Sequence, residues 1–259
     1  MNDLEKYFFD NDDKLIDKWN HYFDIYEKYF NKYRDKEVIL LEIGVFQGGS
    51  LQMWKKYFGP KAKIYGIDIN PKCKELEEEN IEIFTGSQSD RNFLQDIKRK
   101  IPKVDILLDD GGHTMRQQIV TFEELFDHVK EEGIYLCEDT HTSYQIMYGG
   151  GHKRKGTFIE YAKNLIDCLN AYYTEQSSLK VNKYTESIQG IHFYDSIVVI
   201  EKEKRKGEPK RMTTGHATVE NYHQEPAGLK KVKWTIKKKV LKIVNKGLRF
   251  FRIKGFIWR

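Results

Sequence analysis

The chain has little of what stabilises secreted or membrane-spanning proteins. Its 259 residues include only three cysteines, Cys73, Cys137 and Cys168. They show neither CxxC spacing nor an even count, which argues against a disulfide framework or a cysteine-held zinc site and fits a reducing compartment. No run approaches the ~18 consecutive apolar residues of a membrane span. The opening MNDLEKYFFD lacks the basic region and apolar run of a secretory signal, so the sequence predicts a cytoplasmic protein. There is no internal repeat of fixed period. Acids are absent from one long region: Leu229 to Arg259 holds 12 Lys and Arg and no Asp or Glu. The formal charge of +5 therefore divides into a body at −7 and a tail at +12, and partners must be sought separately for each. Mean hydropathy is only −0.68, yet aromatics reach 14%, too many for a disordered chain. The length suits one α/β domain with additions.

From Leu15 to Tyr33, Leu15, Ile16, Trp19, Tyr22, Phe23, Tyr26, Phe30 and Tyr33 recur at three- and four-residue steps. This predicts one amphipathic helix, packed on the body or also lidding a ligand site; His21 on it faces solvent or substrate. Five apolar runs follow, EVILLEIG, AKIYGID, IEIFTG, VDILLDD and GIYLCED. Helical patterns separate them at 51–58, 71–79, 91–100 and 115–130. Such alternation predicts right-handed βαβ units in one parallel, doubly wound α/β sheet. A helical pattern spans 158–173, and Ile191 to Lys202 reads as an antiparallel pair closing one sheet edge. The expected organisation is an N-terminal helical cap at 1–36, a catalytic domain at 37–203, a Gly- and Pro-containing linker at 204–228 and a basic amphipathic tail at 229–259.

In an open parallel sheet, ligands bind beyond the carboxyl ends of the strands. After the first strand come Glu42, Gly44, Gly48, Gly49 and Ser50, spaced GxxxGG, where glycines let the backbone approach a ligand. The spacing is not GxGxxG, and the Lys-Ser/Thr of a phosphate loop is missing. Asp68 ends the second strand, where an acid can take both ribose hydroxyls or simply cap the turn before Pro71. The third strand leads into Gly86-Ser87-Gln88-Ser89-Asp90, a candidate adenine contact. Strands four and five end in acid pairs, Asp109-Asp110 and Glu138-Asp139. Four converging carboxylates would repel one another without a cation, and an all-oxygen set favours Mg²⁺ or a similar hard ion. His113, in a Gly-Gly turn, is a candidate general base, and His141 a further catalytic candidate. The blander readings are helix caps for Asp109 and Asp139 and a hydrogen-bonded loop histidine for His113.

At LLEIGVFQGGSLQMW, IYGIDINP, ILLDDGGH and YLCEDTHTSY, with KWNHYFDIYEKYF before and TFIEYAKNLID after, the chain resembles the class I S-adenosylmethionine-dependent methyltransferases. Within them it is most similar to the metal-dependent macrocin- and mycinamicin-type sugar O-methyltransferases. The resemblance implies the seven-stranded methyltransferase fold with a C-terminal antiparallel hairpin. It implies cofactor contacts at Glu42, Gly44, Gly48 and Asp68, with Gln88 and Asp90 near adenine and Asp109 near the methionine end. Asp110, Glu138 and Asp139 would match the Mg²⁺ ligands and His113 the base. The expected reaction is O-methylation of a sugar in surface polysaccharide or glycosylated natural-product assembly, by a protein that can form homo-oligomers. Rival readings are a nicotinamide-dependent oxidoreductase on a nucleotide sugar, disfavoured by the GxxxGG spacing, and a non-catalytic membrane-associated module.

In the tail, Ile236, Val240, Leu241, Val244, Leu248 and Phe251 form one helical stripe with lysines outside it, the pattern of an interfacial helix. The aromatics Trp234, Phe250, Phe251, Phe256 and Trp258 suit headgroup depth. An anionic inner membrane face is the first expected partner, which would suit lipid-linked glycan acceptors, and packing of the tail on the domain or on a partner is the alternative. Nucleic acid is not expected, because the body is acidic.

Overall fold

In the computed structural model, which describes residues 1–219 and 227–251, each apolar run becomes a strand. Strands β1 (Ile39–Ile43), β2 (Lys63–Asp68), β3 (Ile81–Thr85), β4 (Val104–Asp109) and β5 (Val129–Cys137) pair in parallel. The last two, β6 (Ile188–Phe193) and β7 (Val198–Lys202), form the antiparallel edge read from the sequence. The order β3-β2-β1-β4-β5-β7-β6 reverses between β1 and β4, which puts the switch point where Gly44 and Asp110 leave those strands.

Helices α1 (Asp3–Asp10), α2 (Tyr22–Phe30), α3 (Gly49–Phe58), α4 (Arg91–Lys100), α5 (Met115–Leu125), α6 (Phe158–Leu169) and α7 (Lys183–Ser187) surround this sheet. Because successive strand residues point to opposite faces, the sheet feeds two apolar layers. One contains Leu40, Ile64, Leu108 and Leu136 with Tyr22, Tyr26, Phe30 and Trp54. The other contains Leu41, Ile67, Leu107, Tyr135 and Cys137 with Leu94, Phe122 and Phe158.

The predicted Leu15–Tyr33 helix is shorter than its periodicity implied: α2 starts at Tyr22, and Leu15–Trp19 is an extended strap. Burial there has period two, with Ile16 and the Lys18 side chain buried while Leu15 and Trp19 are exposed. Residues two apart lie on different sides of a helix but on one side of an extended chain, so burying both Ile16 and Lys18 excludes a helix. The strap lies against α3, where a Cβ on Gly49 would stand 2.5 Å from the carbonyls of Lys14 and Leu15. Smaller differences occur at other ends. Pro71–Leu76 is a 3₁₀ turn, not a helix, and α5 stops at Leu125 so that β5 can begin at Val129.

Residues Met1–Thr174 and Leu179–Glu208 form one compact body, so the expected N-terminal cap shares the core of the domain. Glu175–Ser178 and Pro209–Arg259 form a second unit containing α8 (Gly228–Phe250). Parts of the expected linker and tail, at 220–226 and 252–259, lie outside the described residues. Among the described residues no helix is long and apolar enough to cross a membrane.

Gly49→Ala should dislodge the strap and cost about 1–3 kcal/mol, as overpacking does. Gly247→Ala, with nothing near its added methyl, should cost nothing. Urea unfolding of the two variants checks this, and equal stabilities would contradict the strap's packing on Gly49.

Candidate active site

A cavity of ≈ 700 Å³ opens at the carboxyl ends of β1, β2, β4 and β5, with the strap as one wall. Of the residues singled out from the sequence, Gly44, Ser50, Asp68, Gln88, Asp110, His113, Glu138 and Asp139 line it. Glu42, Gly48, Gly49, Asp90, Asp109 and His141 do not. The Gly-rich turn is built for close approach: Gly44 has φ +94°, and a Cβ there would collide with the Asp110 carbonyl. Gly48, at φ +80°, turns the chain into α3. Asp68 ties this turn to β2, its Oδ2 accepting from the Val45 and Phe46 amides at 2.9 and 3.0 Å and its Oδ1 from that of Asn70 at 2.8 Å.

Strand alternation divides the first acid pair. Asp109 falls on the Leu107 face and turns inward, where its carboxylate accepts from Gln88 Nε2 at 2.9 Å and the Tyr135 hydroxyl at 3.1 Å. Burial pushes its pKa up to about 7, against those hydrogen bonds. Gln88 is committed to the same cluster, since its Oε1 also accepts from the Gly112 amide at 2.7 Å. Asp90 caps α4, accepting from the amides of Asn92 and Phe93. The four strand-end acids therefore do not converge. Three do, and Glu42 joins them from β1.

The cation among them is Lys18, which sequence reasoning missed. Its ammonium, 2% exposed, contacts Asp110, lies 2.9 Å from Glu138 Oε2 and stands 3.9 Å from Glu42 Oε1. Burial opposes its charge, but Asp110, Glu138 and Glu42 outweigh burial and hold its pKa well above the ordinary value. One ammonium does not balance three buried carboxylates. Burial, partly offset by Lys18, raises Glu42 to about 7, and burial with the adjacent Asp110 raises Glu138 well above the carboxylate range.

The aromatic stripe of α2 also reaches the site. Tyr26 donates its hydroxyl to Glu138 Oε1 at 2.6 Å, and Tyr22, one turn earlier, donates to Asp139 Oδ1 at 2.7 Å. These adjacent phenols hold adjacent acids, as the four-residue helical spacing allows. Asp139 has φ +52°, a left-handed conformation that re-aims its carboxylate. Its Oδ2 stands 3.5 Å from His113 Nε2, which is 4.0 Å from Asp110 Oδ1. Ligand atoms of Asp110, His113 and Asp139 all lie within 4.8 Å of one another. Glu138, the third member of the expected set, lines the same cavity, its two oxygens accepting from Tyr26 and Lys18. His141 stands behind the trio of Asp110, His113 and Asp139, with Nδ1 2.5 Å from Ser196 Oγ, which lies 2.8 Å from the Tyr22 hydroxyl oxygen.

Removing the Lys18 charge by Lys18→Met should cost about 3–5 kcal/mol near pH 8, because it leaves buried carboxylates unpaired. A carboxyl whose folded pKa is raised, such as Glu42 at about 7 against an ordinary 4.5, favours the fold at low pH and loses that contribution as pH rises through 7. The cost should therefore shrink toward about pH 5. Urea unfolding at the two pH values checks both expectations, and a pH-independent loss would contradict this account of the cluster.

Residues 41–140 match a methyltransferase domain family. The chain is 35% identical over 188 residues to mycinamicin VI 2''-O-methyltransferase of Micromonospora griseorubida, covering 68% of this chain and 47% of that protein. Against demethylmacrocin O-methyltransferase of Streptomyces fradiae the figures are 34% over 202 residues, 73% and 51%. The chain thus spans about half the length of the curated relatives it matches. Among solved structures it is similar to MycE methyltransferase of the mycinamycin biosynthetic pathway, solved in complex with Mg, SAH and mycinamycin VI. The TM-score is 0.69 at 33% identity, over 78% of this chain and 53% of that one. With its sheet order and Gly-rich turn, the chain belongs to the class I S-adenosylmethionine-dependent methyltransferases and resembles the macrocin- and mycinamicin-type sugar O-methyltransferases.

Proposed function

We propose that the chain transfers a methyl group from S-adenosylmethionine to a sugar hydroxyl, with Mg²⁺ or a similar divalent ion. The observation that carries this reading is the meeting of Asp110, His113 and Asp139 in a cavity whose other side is the Gly44 turn and Asp68. The cavity lies within the ~300–1,000 Å³ of small-molecule sites, and the absence of a Cβ at Gly44 lets the first turn pack directly on the Asp110 carbonyl at the cavity's edge. The carboxylates of Asp110 and Asp139 are the hard oxygen donors that Mg²⁺ requires. When bound, S-adenosylmethionine supplies an electrophilic methyl group and the divalent ion acidifies a sugar hydroxyl.

His113 is assigned as the base. Its Nε2 lies beside Asp139, and its Nδ1 has no hydrogen-bond partner among the described residues. Glu138, Tyr26 and Lys18 form the support behind Asp110. His141 is assigned a positioning role, since its Nδ1 stands 3.8 Å from Asp139 Oδ1 and hydrogen-bonds Ser196 beside it. Trp19 lines the cavity half-exposed and offers an apolar wall to a sugar ring. The relatives are named for mycinamicin VI and demethylmacrocin, and another, from Streptomyces olivaceus, for a rhamnosyl tetracenomycin; for this chain the proposed acceptors are surface glycans or glycosylated natural products.

The test is transfer of labelled methyl to a panel of deoxysugar glycosides with Mg²⁺ or EDTA. Asp110→Asn should abolish metal-dependent turnover while S-adenosylmethionine still binds by calorimetry. His113→Ala should lower kcat by about 10²–10⁴ across the working pH range. Undiminished turnover in EDTA would overturn the metal, a wild-type rate for His113→Ala would overturn the base, and a failure to bind S-adenosylmethionine would overturn the reaction.

A further inference from the structure

Helix α8 runs for 23 residues, GLKKVKWTIKKKVLKIVNKGLRF, without a single acid. Val232, Ile236, Val240, Ile243 and Val244 recur at steps of four, four, three and one, which places them within ~120° of one another on a helix. All five are exposed, from 42% at Val244 to 74% at Ile243, and Leu229 and Phe250 extend the stripe, each 82% exposed. Leu241 and Leu248, which the sequence pattern grouped with this stripe, are half-buried and lie about a third of a turn away from it. Lys231, Lys238 and Lys242 occupy the side opposite the open stripe, Lys239 and Lys246 border one edge of it and Lys237 the other, and Lys233 falls within its span. Some of this charge is met within the unit, where Glu175 pairs with Lys238 and Lys242.

We propose that α8 docks, lying flat, on an anionic lipid surface. An open β-branched stripe bordered by lysines matches both parts of such a surface, acyl chains under the stripe and anionic headgroups beside it. A second copy of the chain fits less well: pairing two stripes would bring together lysine rows with no acid on either helix to offset them. Nucleic acid would use the lysines but leave the apolar stripe in water.

The experiment is co-sedimentation of the full chain with phosphatidylcholine vesicles, with or without phosphatidylglycerol. It is paired with the doubly substituted Ile236→Gln, Ile243→Gln chain, which keeps every charge and a helix-tolerant side chain. Unchanged S-adenosylmethionine affinity and melting of the first body show that this variant is folded. The expected result is about tenfold or stronger pelleting on anionic vesicles. It should fall about tenfold between about 0.1 M and 0.5 M salt and by a similar factor in the variant. No pelleting, equal pelleting on neutral vesicles, or a variant equal to the parent would each overturn the proposal. So would RNA binding by both chains without vesicle binding by either, which would assign the helix to nucleic acid.

Discussion

A single buried ammonium organises the end of the body where the cavity opens. Lys18 lies among Glu42, Asp110 and Glu138, which come from three different strand ends. Buried charge is tolerated when it is paired and costly when it is not. The carboxylates thus draw in the strap that carries Lys18, and the strap becomes a wall of the cavity. That requirement outweighs helix periodicity: the segment could have continued α2 toward its N-terminus, but it runs extended because Ile16 and Lys18 must be buried on the same side.

Around this centre the sheet's own geometry distributes the acids. Neighbouring residues at a strand end point to opposite faces, so Asp109 serves the interior with Gln88 and Tyr135 while Asp110 serves the cavity. At the end of β5, Glu138 turns to Tyr26, and only the left-handed backbone of Asp139 brings the second acid back toward His113. The first acid pair is therefore divided labour, Asp109 holding structure and Asp110 facing the cavity, while both members of the second line the cavity.

Much of this was legible in the sequence. Apolar runs ending in Gly or acid gave the strands and their polarity, GxxxGG gave the turn at the switch point, and the touching runs at Ile191 to Lys202 gave the hairpin. The demand for a cation among the acids was legible too, but not that the chain supplies one. Lys18 escaped because its partners lie 24 to 120 residues away and its own surroundings look helical. The roles of Tyr22 and Tyr26 were half visible: their spacing announced a packed face, while their hydroxyl partners depended on the fold. Applying the period of two to DD and ED would have separated Asp109 from Asp110 in advance.

The basic segment is a second system, and the formal charge of +5 describes neither part. An acidic body that gathers carboxylates around a cation is joined to a helix whose only charges are positive. The most direct test of the first system is ¹H–¹⁵N NMR of lysine side chains in the metal-free protein near pH 8. Lys18 should give an ammonium resonance protected from solvent exchange, identified by its loss in Lys18→Met, and it should shift when Asp110 is replaced by Asn. A Lys18 amine exchanging as fast as the surface lysines would contradict the buried ion cluster on which this account rests.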